Sequence, residues 1–554
     1  MAKGAYFPKY LTCLLVACFM TVMLPTGGLA SSDSVRAKNV IVLMTDGTGA
    51  THTTLTRWYK GSSLTQDELI VGGVRTYGAD SIITDSAPAA SAFATGHKTD
   101  DKFISVLPAQ TTIPGVTQIS EDLKYKPVAS VLEGAKLNGK SVGLVATSNI
   151  QHASPAAYSA HWPDRSKYEE IAEQQVHLNI DVVFGGGKQY LIPKEQGGTR
   201  LDGENMLNVL AAKGYSVVEN RTDMLNFKGN KVWGMFANDA MDYDMDRKYL
   251  HPEQPSLAEM TKKAINVLSQ NPQGFFLFVE ASKVDWASHA NDPIGIISDS
   301  LAYADAIQVA LDFAKRDGNT TILCFADHSN GGMSIGSAAS NKTYPSTPLG
   351  QLLDPLKKAS MTGEGVEMML GGNLSADNIR FIVSQYYGVE DLTAAEVEKI
   401  QQAKKGTMNS VLGPMISTRS IVGWTTSGHT GEDVFLYAYG PNKPSGLIEN
   451  NQLAYISARS LGFDLDKADS KLFVEASSAF KAIGATIRID KTDPENMVLV
   501  VEKGLTLAQM PFSKNSLIIN GKTYEMTGIT VYSPKTGKVY IPQQAVELAK
   551  AAGL

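Results

Sequence analysis

Short apolar runs of strand length recur along this chain of 554 residues, and they limit its possible folds more than any other feature. Between them lie amphipathic stretches of helical period, such as residues 256–268 and 300–314. Continuous apolar runs are typical of strands buried on both faces. Their alternation with helices predicts an α/β fold with a doubly wound, mostly parallel sheet flanked by helices. The six runs are residues 40–44, 142–146, 181–184, 275–279, 322–325 and 434–438.

Charged side chains stand at the ends of three of these runs. Asp46 follows the first run, Glu280 ends the fourth, and Asp327 with His328 ends the fifth. Ligands of a doubly wound sheet bind at the carboxyl ends of its strands, and a buried charge is costly unless it is paired or bound to a metal. We therefore expect these side chains to share one metal-binding crevice.

Ser86 lies in a segment of small residues, 84–96, that predicts a helix starting near this serine. Pro88 would occupy the first turn and Gly96 the end, as helix-capping preferences require. A serine at a helix N-terminus faces free N–H groups and the positive end of the helix dipole, which favour a bound phosphate and an alkoxide. The segment alone leaves two interpretations of Ser86 equally open, a helix cap and a nucleophile.

Asp285 and His289 are four residues apart, so a helix would place both on one face, where they could share a metal ion. His429, between glycines in Gly428-His429-Thr430-Gly431, supplies a further imidazole. Four other histidines are interpreted as ordinary polar residues: His52, His97, His177 and His251.

The order of these motifs resembles that of the alkaline phosphatase family, over about residues 39–441 apart from an insertion. Weaker similarities lie at residues 184–187, 243–247 and 255–261. The stretches that carry the resemblance are Asp46-Gly47, Asp85-Ser86-Ala87, Ala153-Ser154-Pro155-Ala156-Ala157, Val279-Glu280, Ala326-Asp327-His328 and His429-Thr430-Gly431.

The resemblance implies hydrolysis of small-molecule phosphate monoesters through a covalent phosphoserine on Ser86, with broad specificity, an alkaline pH optimum and a homodimeric enzyme. It also implies two Zn²⁺ and a third, usually Mg²⁺, site. Arg165 matches the arginine that grips the substrate phosphate, and a surface salt bridge with Asp164 is the alternative interpretation. The implied ligand sets are Asp285, His289 and His429 for one zinc ion; Asp46, Asp327 and His328, with Ser86 beside them, for the other; and Asp46, Ser154 and Glu280 for the third metal.

Three positions depart from the family's commoner pattern, and all three concern the third site. His152 and Trp286 stand where some members carry Asp and Lys, and Ser154 stands where Thr is commoner. These changes leave the third metal open between Mg²⁺ and Co²⁺. Because a lysine at position 286 could hold phosphate through water, we expect faster product release and weaker phosphate inhibition than in relatives that carry one.

Two rival functions remain to be weighed. Phosphodiesterases, nucleotide pyrophosphatases and sulfatases on the same fold share the zinc ligands but generally lack the third-site set and this arginine, so Ser154, Glu280 and Arg165 favour monoesters. A cell-surface binding protein with a vestigial catalytic domain is the other rival, and the complete ligand set argues against it. The net charge of −6 gives no electrostatic reason to bind nucleic acid.

The N-terminus resembles an export signal, with Lys3 and Lys9 before an apolar run at residues 11–24 and a cleavage point after Ala30. Lipid attachment at Cys18 is the alternative. Export would make the protein periplasmic, envelope-associated or secreted, and cleavage would leave Cys324 as a single, buried structural thiol.

Two regions are expected after a signal peptide at residues 1–30. Residues 31–467 would form the catalytic domain, with an insertion at about 336–423, and residues 468–554 a small α+β module. The module weakly resembles the copper amine oxidase N-terminal-like domain. Attachment to the cell envelope, a dimer contact and packing on the catalytic domain are its three candidate roles.

Overall fold

A ten-stranded sheet forms the centre of the computed structural model, which describes residues 36–554. The expected signal peptide at residues 1–30 and the alternative lipidation at Cys18 lie outside the described residues. In chain order the strands are β1 Asn39–Thr45, β2 Ile70–Arg75, β3 Ser141–Asn149, β4 Val182–Gly186, β5 Ser216–Val218, β6 Val232–Met235, β7 Phe275–Ala281, β8 Thr320–Ala326, β9 Val434–Tyr439 and β10 Gly446–Glu449.

The strand order is β10-β2-β9-β8-β1-β7-β3-β4-β6-β5, and every pairing from β8 to β5 is parallel. The α/β fold with a mostly parallel sheet is therefore confirmed. One run departs from the expectation: β9 pairs antiparallel with both β8 and β2. An apolar run specifies burial on both faces and carries no information about strand direction.

Side chains of β1 alternate between two hydrophobic clusters, one on each face of the sheet. Val40 and Val42 belong to one cluster, and Ile41 and Leu43 to the other. All four are fully buried, which explains why the sequence shows a continuous apolar run instead of an alternating one.

Helices cover both faces of the sheet. Pro293–Asp317, the longest of them, has the length and apolar composition to cross a membrane, but 78% of its apolar stretch is buried inside the protein, as in a core helix. The α-helices that precede β8 in the chain are Ala50–Lys60, Ser86–Thr95, Val131–Leu137, Ala153–Ala157, Tyr168–His177, Met206–Ala212, Arg221–Asn226, Asp244–Leu250, Leu257–Leu268, Lys283–His289 and Pro293–Asp317.

Residues 336–423, between β8 and β9, are mostly helical and share a separate hydrophobic cluster with the start of Pro293–Asp317. Leu356, Val366 and Ile416 pack there with Ile294 and Ile297. The helices of this segment are Leu349–Lys357, Gly363–Leu370, Ala376–Ile382, Ala394–Gln401 and Met408–Arg419.

After β10 the helices Gln452–Leu461 and Leu465–Leu472 lead into a region with two small sheets. Residues 468–554, which we call the C-terminal module, contain both α and β elements and a hydrophobic cluster of their own. The remaining elements are the strands Val474–Glu475, Thr486–Asp490, Val498–Lys503, Thr506–Pro511, Ser516–Ile519, Lys522–Glu525, Val531–Tyr532 and Val539–Ile541, and the helices Ala476–Lys481 and Gln543–Ala551.

Candidate active site

The acids at the strand ends meet because β7, β1 and β8 are neighbours in the sheet. Met44 of β1 is in register with Glu280 of β7, and Asp46 and Asp327 each follow the last residue of their strand. Asp46, Glu280 and His328 are fully buried, and Asp327 is 2% exposed. These side chains therefore converge at the carboxyl edge of the sheet.

Ser86 is the first residue of helix Ser86–Thr95, which ends at Gly96 as the sequence predicts. Its Oγ lies 3.1 Å from Nε2 of His328 and 3.5 Å from Oδ1 of Asp46. The preceding residue, Asp85, caps the helix by accepting a hydrogen bond from the N–H of Ala87. Ser86 is therefore an in-helix residue aimed at the buried acids, and the capping function belongs to Asp85.

Asp285, His289 and His429 form the most open candidate metal group, and His289 is exposed. Nδ1 of His289 contacts the carbonyl of Ser427 at 2.7 Å, and Nδ1 of His429 contacts the carbonyl of Thr84 at 2.8 Å. A carbonyl only accepts, so each ring donates from Nδ1 and keeps a lone pair on Nε2 when neutral.

The two Nε2 atoms lie 3.1 Å apart, and the Asp285 carboxylate lies 3.4 Å from the first and 3.6 Å from the second. Two lone pairs and a carboxylate converging on one point repel each other unless a cation lies between them.

Asn330 orients this group, and the sequence analysis did not identify it. Its Nδ2 donates to Oδ1 of Asp285 at 2.7 Å and to the Asp285 carbonyl at 3.1 Å. The available signal was its position two residues after His328. In the structure it lies in the short strand Ser329–Asn330, which pairs antiparallel with His429–Thr430.

Asp46, Asp327 and His328 form a second candidate metal group, which is buried. The N–H groups of Gly47 and His328 both donate to Oδ1 of Asp327, at 3.0 and 2.9 Å. The other oxygen, Oδ2, faces Nε2 of His328 at 3.1 Å. Backbone donors thus fix one oxygen and leave the second directed into the crevice.

The third candidate group contains Asp46, Glu280 and His152. His152 is expected beside this site. In the structure a ring nitrogen of His152 lies close enough to a carboxylate oxygen of each acid for the three to hold one ion. Ser154, the predicted ligand, is fully buried two residues after His152, in helix Ala153–Ala157. The Trp286 ring meets the His152 ring edge-on with 6.0 Å between centroids.

Several buried polar atoms around the third group lack a hydrogen-bond partner within residues 36–554. Such atoms are costly to bury unless something binds them, and oxygen donors of this kind suit a hard cation. The oxygen atoms are Oδ2 of Asp46, Oε1 and Oε2 of Glu280 and Oγ of Ser154; Nδ1 of His152 also lacks a partner.

Arg165 lies beside Ser86 because Asp85 holds it there. Nη1 of Arg165 donates to both oxygens of Asp85, at 2.6 and 2.7 Å, and Nη2 lies 3.0 Å from Nε2 of His152. The alternative salt bridge with Asp164 does not form; Asp164 accepts hydrogen bonds from Ser166 instead. Asp85 thus positions Arg165, a role that its place in the Asp85-Ser86-Ala87 motif does not indicate.

Crowded carboxylates dominate the electrostatics of the crevice. Burial, together with the charges of Asp327 and Asp285, raises the pKa of Asp46 well above its usual range. Burial and Asp327 raise the pKa of Glu280 to about 8. Because like charges resist ionising together in a buried site, full ionisation of this set requires bound cations.

The pKa of His152, like that of His429, is lowered, whereas the pKa values of His289 and His328 are raised. Burial, reinforced by the positive charge of Arg165, lowers the pKa of His152 to about 3, so its ring is neutral at working pH. The four histidines interpreted as ordinary polar residues belong to none of the three candidate groups: His52, His97, His177 and His251.

Comparison with known proteins gives one consistent match. The family model described as "Alkaline phosphatase" matches residues 37–462. Alkaline phosphatase 3 of Bacillus subtilis is 34% identical over 450 residues, which cover 77% of this chain and 90% of the relative. An alkaline phosphatase of Schizosaccharomyces pombe is 30% identical over 468 residues, covering 79% of this chain and 84% of the relative.

Solved structures agree with the sequence comparison. A cold-active alkaline phosphatase of Shewanella sp. has a TM-score of 0.64 and 29% identity, covering 76% of this chain and 98% of that chain. The alkaline phosphatase of Thermus thermophilus has a TM-score of 0.68 and 26% identity, covering 78% and 95%.

Proposed function

This chain belongs to the alkaline phosphatase family and is a metal-dependent phosphomonoesterase. We propose that Ser86 is its nucleophile and that three cation sites lie around it. The position of Ser86 Oγ carries this proposal. It lies 3.1 Å from His328 and 3.5 Å from Asp46, and the latter residue belongs to two of the three candidate metal groups.

The donor sets fit the metals that the family resemblance implies. Imidazole nitrogens with carboxylate oxygens suit Zn²⁺, so Asp285, His289 and His429 would hold one zinc ion. Asp46, Asp327 and His328 would hold the other. When bound, the metals supply positive charge that stabilises the phosphoryl oxygens and lowers the pKa of an adjacent hydroxyl.

The third site is proposed for Mg²⁺, held by Asp46, Glu280 and Ser154. Three oxygen donors favour this hard cation, whereas a nitrogen from His152 would favour Co²⁺. The tight contact between His152 and Arg165 supports the magnesium assignment, because the Nε2 lone pair is already occupied by the guanidinium.

Ser86 would attack the phosphorus of the ester and form a phosphoserine, and the alcohol would leave. Its hydroxyl is directed at Oδ1 of Asp46, which can accept the proton. The N-terminal end of helix Ser86–Thr95 favours the alkoxide and the phosphoryl group. The proton taken by Asp46 then passes to the departing alkoxide. A water molecule attacks the phosphorus of the phosphoserine, the P–Oγ bond breaks, inorganic phosphate leaves, and a water proton returns to Oγ of Ser86.

Arg165 would bind two non-bridging oxygens of the phosphoryl group through its planar fork. Asp85 holds the guanidinium on one side and His152 on the other, so it is oriented before substrate arrives. Preorganisation of this kind lowers the entropic cost of binding. A second ester substituent would crowd this side, which supports monoesters over diesters.

Hydrolysis of p-nitrophenyl phosphate, with and without chelator, tests the proposal together with metal analysis of the purified protein. Ser86→Ala should lower kcat at least about a thousandfold, whereas Ser457→Ala, a buried serine in the remote helix Gln452–Leu461, should retain activity. Glu280→Gln should lower the metal content from three to two ions per chain. Full activity of Ser86→Ala, or faster cleavage of bis(p-nitrophenyl) phosphate than of the monoester, would contradict it.

Export and a homodimeric state are further parts of the proposal. The apolar run at residues 11–24 and the small residues before Ser31 support cleavage after Ala30. N-terminal sequencing of the protein recovered from the cell envelope or the medium tests this: a start at Ser31 supports cleavage, and a lipid-modified Cys18 contradicts it. Light scattering of the purified protein tests the dimer.

A further inference from the structure

The C-terminal module covers an apolar surface of the catalytic region. Helix Leu465–Leu472 lies against helix Val131–Leu137, and the residues between them are almost entirely buried. We call this set the interface cluster: Ala129, Ala468, Leu472, Phe473, Ile529, Val531 and Tyr540. Without the module, the Ala129 side of the cluster would be exposed to water.

Phe473 is the member of this cluster whose ring contacts His161, four residues before Arg165. Its ring meets the imidazole of His161 edge-on, with 4.6 Å between centroids and an angle of 68°. Both residues are buried, Phe473 at 4% and His161 at 1% exposure. Edge-to-face ring pairs of this kind are favourable and hold both rings in one orientation.

His161 is fixed on its other sides by polar contacts. Its Nε2 lies 3.0 Å from Glu133, its Nδ1 lies 3.0 Å from the carbonyl of Ser105, and its N–H donates to Gln174 at 2.8 Å. Phe473 completes this enclosure as the apolar contact. The His161 ring is therefore held by two polar contacts within the catalytic region and by one ring contact from the module.

The segment that starts at His161 ends at Arg165. Trp162 and Ile104 exchange two backbone hydrogen bonds of 2.8 and 2.9 Å, and the N–H of Arg165 donates to the carbonyl of Lys102 at 2.9 Å. The arginine proposed to bind phosphate therefore ends a segment that begins at His161, which contacts the module, and that is anchored at Trp162 by a single antiparallel bridge to Ile104.

A second contact of the module supports the other strand of the bridge. Asp469 accepts hydrogen bonds from Nζ of Lys126 at 2.5 Å and from the N–H of Ala129 at 3.1 Å. The neighbouring N–H of Val128 donates to the carbonyl of Ser105, next to Ile104 in the bridge. Both strands of the bridge thus depend on residues that the module holds.

We propose that the C-terminal module acts as a clamp on the phosphate-binding segment, and that Phe473 is a positioning residue that acts through His161 to orient Arg165. This inference rests on the proposed role of Arg165 in binding phosphate. The module then contributes to substrate affinity without contacting substrate.

Phe473→Leu tests the clamp, since it keeps an apolar side chain and removes the ring contact. We expect the KM for p-nitrophenyl phosphate and the Ki of inorganic phosphate to rise about two- to tenfold, with a smaller change in kcat. This fold-change corresponds to the interaction energy of one aromatic pair. Phe480→Leu is the matched control, because Phe480 is buried in the module's own cluster. It should lower the unfolding temperature and leave KM unchanged.

A double-mutant cycle with Arg165→Ala separates positioning from general destabilisation. If Phe473 acts through Arg165, Phe473→Leu should have no further effect on KM once the guanidinium is gone. An equal loss in both backgrounds, or a similar KM change in Phe480→Leu, would overturn the clamp. An unchanged KM in Arg165→Ala alone would instead refute the proposed role of Arg165.

Discussion

Nε2 of His152 lies 3.0 Å from Nη2 of Arg165, and the guanidinium can only donate. The imidazole must therefore accept at Nε2 and, being neutral, carry its proton on Nδ1. Ligation of a metal by Nε2 would require Arg165 to move away. The His152 ring can therefore bind either Arg165 or a third-site cation through Nε2. The two contacts of Asp85 with the opposite side of Arg165 favour the first arrangement.

Arg165→Lys should raise KM and the Ki of phosphate about tenfold or more, because an ammonium cannot contact Asp85 and His152 and still offer a planar fork to phosphate. Steady-state kinetics measure both constants. Arg200→Lys is the matched control: Arg200 is buried and bonded to Asp202, so its loss should affect stability and leave KM unchanged. Equal KM values for Arg165→Lys and wild type would contradict the prediction.

Asn330→Ala should weaken metal binding by Asp285, His289 and His429 about 10–100-fold, because the carboxylate loses the donor that orients it. Metal content after dialysis against buffered Zn²⁺ reports this directly. Asn450→Ala removes an equally buried amide that contacts Lys98 and Thr76 instead, and should retain its metal. Full zinc occupancy in Asn330→Ala at limiting Zn²⁺ would count against this role.

Trp286→Lys should tighten inhibition by inorganic phosphate about tenfold and slow product release, since it adds a positive charge beside the third site. The Ki of phosphate and the kcat for p-nitrophenyl phosphate are the measurements. Trp286→Leu, which removes the ring without adding charge, controls for its lost contact with His152. Inhibition that is the same in all three proteins would show that position 286 does not set phosphate release.

Asp292→Asn should remove a pH-dependent loss of stability. Asp292 is fully buried and caps helix Pro293–Asp317, and burial raises its pKa to about 7. The folded protein therefore binds more protons than the unfolded chain between about pH 4 and 7, and stability falls as pH rises through that window.

The difference in free energy of unfolding, variant minus wild type, should therefore increase by about 2–4 kcal/mol from pH 4 to pH 8. Asparagine keeps an oxygen to accept from Tyr387 and Ile294. Denaturant titrations at the two pH values measure the change, with the exposed Asp312→Asn as the control. A pH-independent difference between Asp292→Asn and wild type would refute the assignment.

Local patterns carried most of the fold prediction. The runs at residues 40–44 and 275–279 became β1 and β7, because burial on both faces is visible in the composition of each strand alone. The prediction missed β2, whose two glycines interrupt its apolar pattern and which is only partly buried. It also could not assign a direction to β9, which depends on its neighbours.

In the candidate site, too, contacts within one element could be predicted from the sequence, whereas contacts between distant residues could not. Asp285 and His289 share one helical turn, so their proximity follows from spacing. Asn330 and Asp285 are 45 residues apart, and Asp85 and Arg165 are 80 apart. No local pattern encodes such pairs, because they arise from the order of strands in the sheet.

By itself, the sequence determined the α/β class, the acids at the strand ends and the helix that begins at Ser86, because these depend on burial and on spacing within single elements. Only the tertiary structure decided that Asp85 and His152 share Arg165, that Asn330 holds Asp285, and that Phe473 closes over His161. These contacts join residues far apart in the chain, and packing of whole elements against one another is what brings them within a few ångströms.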